Sequence, residues 1–409
     1  MVIPSKFPIN NLWWSQFPFH LRLITKIRFF ASFGAGGVIY LTSLTFHNIG
    51  LSAAEIGLGF SISAIIGTLT RFFTGNYLNK TGKIQNPLII SSLISITAGF
   101  FLIFAKETFS YIIGQALIGA AAGIYWPATE FAVPYFCYPI KTRKAYALVR
   151  SSEALGIFLG VFIGGFLSNF VYLKSIFIND IFCMCIIIFL ILRNKSSIQV
   201  TLEKSQQKGL ELIDFYQEKW NKNTITIIAS VVLVTTSLAL IQVTFPLDLV
   251  KGGFYREALE EKLISFIISF QLILLLILQW PIGSWISKKG KLFGLKFSLI
   301  NFAFATLFLS ISSYLNINAF YLVFISIILL SLGTSAFLPT STDIIFSIAP
   351  SNKKGYALAL LSQCFAMGYF FGPFISGKIL DLFGYASIVW VAISFFCFSM
   401  FGLIYKKLF

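Results

Sequence analysis

The sequence predicts an all-α membrane protein with twelve transmembrane helices in two parallel six-helix repeats. Three observations predict it. Apolar runs long enough to cross a ~30 Å hydrocarbon core recur along the chain. Only 11% of the 409 residues are charged, against about 25% in a soluble domain, and the mean hydropathy is +0.84. One stretch, GNYLNKTGK at Gly75 to Lys83, returns 208 positions later as GSWISKKGK at Gly283 to Lys291. A lipid bilayer is therefore the first expected partner.

Taken in order, residues 1–27 hold Trp13, Trp14, Phe17 and Phe19 beside Arg22 and Lys26. That mixture suits a cytoplasmic or interfacial segment. No small-residue cleavage site follows the first apolar run, so no signal peptide is read. The first span is expected at 28–47, with Ser52 as N-cap of the next helix. Further spans are expected at 56–78, 86–105, 109–137, 145–170 and 175–193. A polar, lysine-rich linker at 194–222 follows, and its residues 210–220 read as an amphipathic surface helix. Six more spans fit at 223–247, 262–286, 292–314, 318–348, 355–380 and 385–405. The expected units are a six-helix bundle at 28–193, the linker, and a second bundle at 223–409.

Basic residues gather on one side of this plan. That side holds Lys6, Arg22, Lys26 and Arg28, Lys80 and Lys83, Lys141, Arg143 and Lys144, Arg193 and the linker lysines, Lys288, Lys289, Lys291 and Lys296, Lys353 and Lys354, and Lys406 and Lys407. The opposite loops hold far fewer: Lys106, Lys174, Lys251, Arg256 and Lys262. Both termini are thus expected in the cytoplasm, with the chain in the plasma or inner cell membrane. The formal charge of +16 is read as loop charge, not as a nucleic-acid surface.

The repeat extends beyond the opening stretch. Gly156, Gly160 and Gly165 return as Gly368, Gly372 and Gly377, and Pro127 as Pro339, each 212 positions later. KAYAL at 144–148 returns as KGYAL at 354–358. Six spans per half give both halves one orientation, related by an axis along the membrane normal. In each copy of the lysine stretch, a glycine at the helix end is expected to let a neighbouring helix approach or the chain reverse. The lysines would hold that reversal on one side of the membrane. Gly75, Asn79, Lys80, Gly82 and Lys83, with Gly283, Ser287, Lys288, Gly290 and Lys291, are the candidate gate loops.

These residues carry a resemblance. GLSAAEIG at 50–57 is similar to the helix 1 to helix 2 turn of the major facilitator superfamily, and GNYLNKTGK resembles its signature loop G-x-x-x-D-(R/K)-x-G-(R/K)-(R/K). With the repeat and the long linker, the resemblance covers roughly 28–405. It implies that substrate binds between the halves, which rock to expose it alternately. GVFIGG at 160–165 resembles the G-P-x-x-G-G core in helix 5 of drug–proton antiporters, with Val161 in place of proline. There are departures. The signature acid is replaced by Asn79 and Ser287, which implies a weaker cytoplasmic gate. Gln115 stands where proton-coupled members carry an arginine in helix 4.

Gly156, Gly160 and Gly164 share one helix face, which Gly165 widens; Gly368, Gly372, Pro373 and Gly377 stand in the second half. Small residues at this spacing are expected to pack helices backbone to backbone.

Ionisable groups inside a span cost about 2.5–3.5 kcal/mol each on insertion scales. Axial spacing places Arg71, Glu130, Arg150 and Glu153 at similar depth in the cytoplasmic half, so a buried network of these four is expected. Two readings stay open: a structural clamp, or a proton site and gate. Asp343, four residues after Pro339, joins the candidates, with simple contact with interfacial water as its other reading. Lys378 and Asp381, three apart, are expected to pair with each other.

Polar and aromatic groups placed to meet a cargo are Tyr40, Thr42, Gln115, Tyr125, Trp126, Gln242, Gln271, Gln279, Gln363 and Tyr369. Such a cavity suits amphipathic or aromatic compounds better than phosphorylated sugars, which want converging cations. Nothing points to covalent catalysis, so no enzyme activity is expected. There is no Walker-type phosphate loop, no clustered Cys/His metal site and no implied cofactor. The expected function is secondary active transport by a monomer, as proton-coupled efflux of small amphipathic compounds. Alternatives are import of a sugar, amino acid or other metabolite, and a non-transporting assembly factor or receptor.

Overall fold

The computed structural model describes residues 13–140, 142–167, 174–194, 222–348 and 354–407. The expected N-terminal segment up to residue 12, the linker at 195–221 with its surface helix, and the side chains of Asn79, Lys144 and Ser287 lie outside the described set. After a short 3-10 turn at Trp13–Gln16 come twelve long helices, with no strand among the described residues. They are α1 (Phe19–Ile49), α2 (Ala53–Thr81), α3 (Gln85–Phe104), α4 (Thr108–Phe136), α5 (Thr142–Leu167) and α6 (Ser175–Arg193), then α7 (Lys222–Lys251), α8 (Glu261–Lys289), α9 (Lys291–Ser312), α10 (Ala319–Ile348), α11 (Lys354–Phe383) and α12 (Ser387–Lys407). Eleven of them are long and apolar enough to cross a bilayer; α11, of 30 residues, packs among them.

Helix α1 begins well before the expected residue 28. Its first turns carry Leu21, Ile24 and Ile27, which have no exposed surface and share a buried cluster with Leu88, Val133, Phe136 and Ile191. Burial of such side chains contributes about 1.5–3 kcal/mol each. That outweighs the pull of Arg22 and Lys26 toward an interface.

At the start of α2, Ser52 accepts from the Glu55 amide at 3.2 Å while Glu55 accepts from the Ser52 amide at 2.8 Å, a reciprocal cap. The helix ends at Gly82, whose φ of 63° is the left-handed conformation glycine tolerates best. Gly290, with φ 96°, turns the chain between α8 and α9. The reversals therefore lie at Gly82 and Gly290. These are the helix-end glycines of the two copies; Gly75 and Gly283 sit inside their helices, and a Cβ at either would meet nothing within 4 Å. Between α3 and α6, Lys174 donates to the Ile103 and Ala105 carbonyls at 2.6 and 3.0 Å. Burial and the neighbouring Lys106 draw its ammonium below the ordinary lysine range.

The internal repeat is visible as packing. In the first half α1 packs on α5 and α6, α2 on α4, and α3 on α4 and α6. Six helices on, α7 packs on α11 and α12, α8 on α10, and α9 on α10 and α12. The seam between the halves joins α2 to α11 and α5 to α8, and each pair maps onto the other under the same shift. Within the halves, Gly156 and Gly160 lie against backbone of Phe29 and Phe33, and Gly368 lies against Thr235; Gly372 lies against the Thr236 and Leu240 side chains and Gly164 against Leu41 and Ile176. Gly165 and Gly377 instead face the seam, against Ser265 and Ala53, as does Pro373, whose carbonyl meets Gly57.

Candidate functional site

Two groups of residues collect chemistry. The first lies where α1, α4 and α5 meet. Arg28 has a fully buried side chain on α1. Its Nε and Nη2 donate to Glu153 Oε2 on α5 at 3.2 and 2.9 Å. Nη2 also reaches Glu130 Oε1 on α4 at 3.1 Å, and Nη1 donates to Thr129 Oγ1 at 2.6 Å. Arg150, about half exposed, lies 2.8 Å from Glu130 Oε1 and 3.1 Å from Glu153 Oε2. Each carboxylate is thus shared by both guanidiniums, and the four charges cancel. The Arg28 guanidinium lies 3.8 Å from the Trp126 ring centre, with Tyr125 at 5.8 Å. Tyr146 donates its hydroxyl to the Glu130 carbonyl at 3.1 Å.

This corrects the expected network in one member. Glu130, Arg150 and Glu153 come together, but the second base is Arg28. Arg71 lies elsewhere on α2 and donates to the Ser362 hydroxyl of α11, across the seam. Axial spacing fixes depth along a helix, not the face a residue occupies, and Arg71 faces α11. Arg28 had the look of a flanking cation because the first span was started at it. With α1 beginning at Phe19, it lies ~13 Å inside the helix. The signal was present in Leu21, Ile24, Ile27 and Ala31, which continue a helical stripe upstream and around Arg28.

The second group bridges the halves. The Gln242 side chain on α7 donates to the Tyr40 hydroxyl of α1 at 3.4 Å and accepts from the Tyr369 hydroxyl of α11. Along α1, Tyr40 lies ~18 Å beyond Arg28, toward the end away from the termini.

The remaining residues scatter. Tyr125 and Trp126 belong to the charge cluster. Thr42 is satisfied within α1 by the Val38 carbonyl. Gln115 is buried on α4 with its side-chain nitrogen unpartnered among the described residues. Gln271 is buried on α8 with its side-chain oxygen likewise unpartnered. Gln363 is exposed and lines an apolar groove of about 610 Å³ among α7, α11 and α12, with Ile228, Val232, Met367 and Phe396. Asp343 is exposed on α10. Lys378 does not pair with Asp381: its ammonium sits 4.5 Å from the Phe374 ring centre, and Asp381 binds Lys251 of α7 at 2.9 Å. Two buried acids escaped the sequence reading. Asp180 on α6 accepts from Ser95 at 2.9 Å. Asp248 on α7 holds Arg256 at 3.0 Å and accepts from the Trp390 indole at 3.0 Å.

The geometry of two like-patterned six-helix halves meets an independent finding. The family model of the Major Facilitator Superfamily matches residues 27–255 and 227–408. The chain belongs to the Major Facilitator Superfamily. It is 22% identical over 374 residues, 91% of either chain, to an uncharacterized MFS-type transporter, YttB, of Bacillus subtilis (strain 168). A shorter stretch of 54 residues, 13% of each chain, is 39% identical to a multi-drug resistance efflux pump PmrA homolog of Lactococcus lactis subsp. lactis (strain IL1403). Among solved structures, the nucleoside transporter NupG superposes with a TM-score of 0.74 at 13% identity, over 95% of this chain and 98% of that one. The peptide transporter POT in complex with sulfate gives 0.75 at 11% identity, over 97% and 95%. At these identities the likeness establishes the fold. This facilitator is thus a multi-pass membrane transporter, and membership implies a small-molecule substrate.

Proposed function

We propose that this facilitator is a proton-coupled exporter of small amphipathic compounds. It works as a monomer in the cell membrane, with both termini cytoplasmic and the halves at 28–193 and 223–409 rocking about their seam. The observation that carries the reading is the pair of carboxylates, Glu130 and Glu153, shared by Arg28 and Arg150 beside Trp126. A proton arriving on Glu130 neutralises one acid, weakens two charge-assisted contacts and leaves Arg150 with Glu153 alone. Glu153 is tied more firmly, by Nε and Nη2 of Arg28 and by Arg150, and clamps α1 to α5. With about a third of its side chain exposed against 13% for Glu153, Glu130 is the coupling acid in this reading. The four residues then join a proton event to a change in how α1, α4 and α5 hold one another.

Cargo in this reading meets the aromatic and amide groups between the cluster and the Tyr40–Gln242–Tyr369 bridge. A bound amphipath that competes for Gln242 loosens a contact that spans the halves. The short match to an efflux pump homolog and the glycine run at 160–165 support the outward direction. The signature-loop lysines Lys80, Lys83, Lys288 and Lys291 would mark the cytoplasmic face.

The test is flux of a panel of amphipathic cations and neutral aromatic compounds into oriented proteoliposomes, with and without an imposed proton gradient. Gradient-driven movement against the proton flow supports the reading. Movement of a sugar or amino acid with the protons replaces it by import. Saturable ligand binding with no flux under either condition replaces it by a receptor or assembly role.

A further inference from the structure

Asp381 lies in the last turn of α11, and its carboxylate reaches across the seam. Its Oδ1 accepts from the Ala53 amide at 3.0 Å and its Oδ2 from the Ala54 amide at 2.7 Å. These are the first two amides of α2, which have no carbonyl partner within their own helix and lie at the positive end of its dipole. The reciprocal cap satisfies the Ser52 and Glu55 amides, and the Ile56 amide bonds to the Ser52 carbonyl. The Ala53 and Ala54 amides are the two left over, and a residue of the other half takes them. Lys251, closing α7, donates to Asp381 Oδ1 at 2.9 Å. One carboxylate therefore joins α2 of the first half to α7 and α11 of the second.

The surrounding contacts explain how the acid gets there. One turn earlier on α11, Gly377 lies against the Ala53 carbonyl, and Gly57 of α2 lies against the Pro373 carbonyl. The two helices meet backbone to backbone at this end. The neighbouring α5–α8 contact closes in the same layer, where Gly165 meets Ser265 and Phe162 lies edge-on to Phe266 at 5.9 Å. Asn48 also donates to Glu261 across the seam. A salt bridge between α7 and α11 alone would stay inside one half. The two amide contacts are what make Asp381 sensitive to whether the halves touch.

We propose that Asp381 is the latch of the gate at the end away from the termini. Its hold on the α2 amides stabilises the conformation described here, and it must let go before the halves part at that end. This inference rests on the alternating-access reading above. Charge-assisted contacts made in one conformation and absent from the other bias the equilibrium by their full difference.

The test uses the full-length protein in proteoliposomes, in a background with the five native cysteines replaced. Spin labels at Phe166→Cys and Leu263→Cys report the distance between α5 and α8 at the same end without touching the latch. Asp381→Asn keeps the side-chain size and loses the charge and one acceptor. It is expected to raise the ratio of the long-distance to the short-distance population by about tenfold or more, as befits loss of charge-assisted hydrogen bonds. Lys251→Met leaves the amide contacts in place and is expected to move the ratio less, as is Asp381→Glu. Thermal melting of each variant in detergent identifies one that is unfolded instead of opened. Two distance populations in the parent that keep their ratio in folded Asp381→Asn overturn the latch alone. A single short distance in the parent and in every variant overturns the alternating-access reading and the latch together.

Discussion

Arg28 and Glu153 are joined by two N–H donors on one carboxylate oxygen, at 3.2 and 2.9 Å, through the interface where α1 packs on α5. Arg28 is fully buried, so its charge depends on the acids beside it. Arg28→Met is expected to lower unfolding stability by about 3–5 kcal/mol, because the largely buried Glu153 is left with the half-exposed Arg150 as its cation. Arg71→Met, which removes a contact to a neutral hydroxyl, should lower it by about 1 kcal/mol. Denaturant titration of both variants in one detergent checks the order. Equal losses would show that Arg28 does not anchor the cluster.

A second buried pair makes a prediction in the other half. Asp248 has no exposed surface and is held by Arg256, the Trp390 indole and the Ala386 amide. Asp248→Asn should lower stability by about 3–5 kcal/mol by leaving Arg256 unpaired. Trp390→Phe, which removes one donor to a charged acceptor, should cost about 1.5–3 kcal/mol. A thermal-shift series reads both, and a neutral Asp248→Asn contradicts the anchoring role.

The glycines divide in a testable way. Gly160 lies against the Phe33 backbone of α1, whereas a Cβ at Gly75 meets nothing. Gly160→Ala should lose about 1–3 kcal/mol as α5 is pushed off α1. Gly75→Ala, where the added methyl enters open space, should be neutral or gain about 0.4–1 kcal/mol by restricting the unfolded chain. Melting temperatures of the two variants decide, and a loss at Gly75 equal to that at Gly160 would contradict the packing.

Much of the fold could be read from the chain because hydropathy, lysine-bearing loops and an offset of about 210 residues act over whole helices. Twelve helices, the Ser52 cap and the like pattern of the two halves all rest on such extended signals. The candidate site was legible only in part. Glu130, Arg150 and Glu153 were found because a charge in an apolar run is conspicuous. Arg71 enters the expected network because axial spacing gives depth but not rotation, and Arg28 is missing from it because the expected first span starts at that residue. Asp381 was assigned to Lys378 because local spacing favours that pair, while the free amides of α2 and Lys251 come from distant parts of the chain. Tyr40, Gln242 and Tyr369 were picked one by one for their chemistry; that they meet is a property of the seam alone.

The sharpest measurement compares net flux with exchange in Glu130→Gln and Glu153→Gln, reconstituted beside the parent protein. Glu130→Gln should retain substrate exchange across the vesicle wall and lose accumulation driven by a proton gradient, with its pH dependence flattened. Glu153→Gln should lower both, as a loosened clamp would. Accumulation by Glu130→Gln at the parent's rate and with the parent's pH profile would contradict coupling through the shared carboxylates.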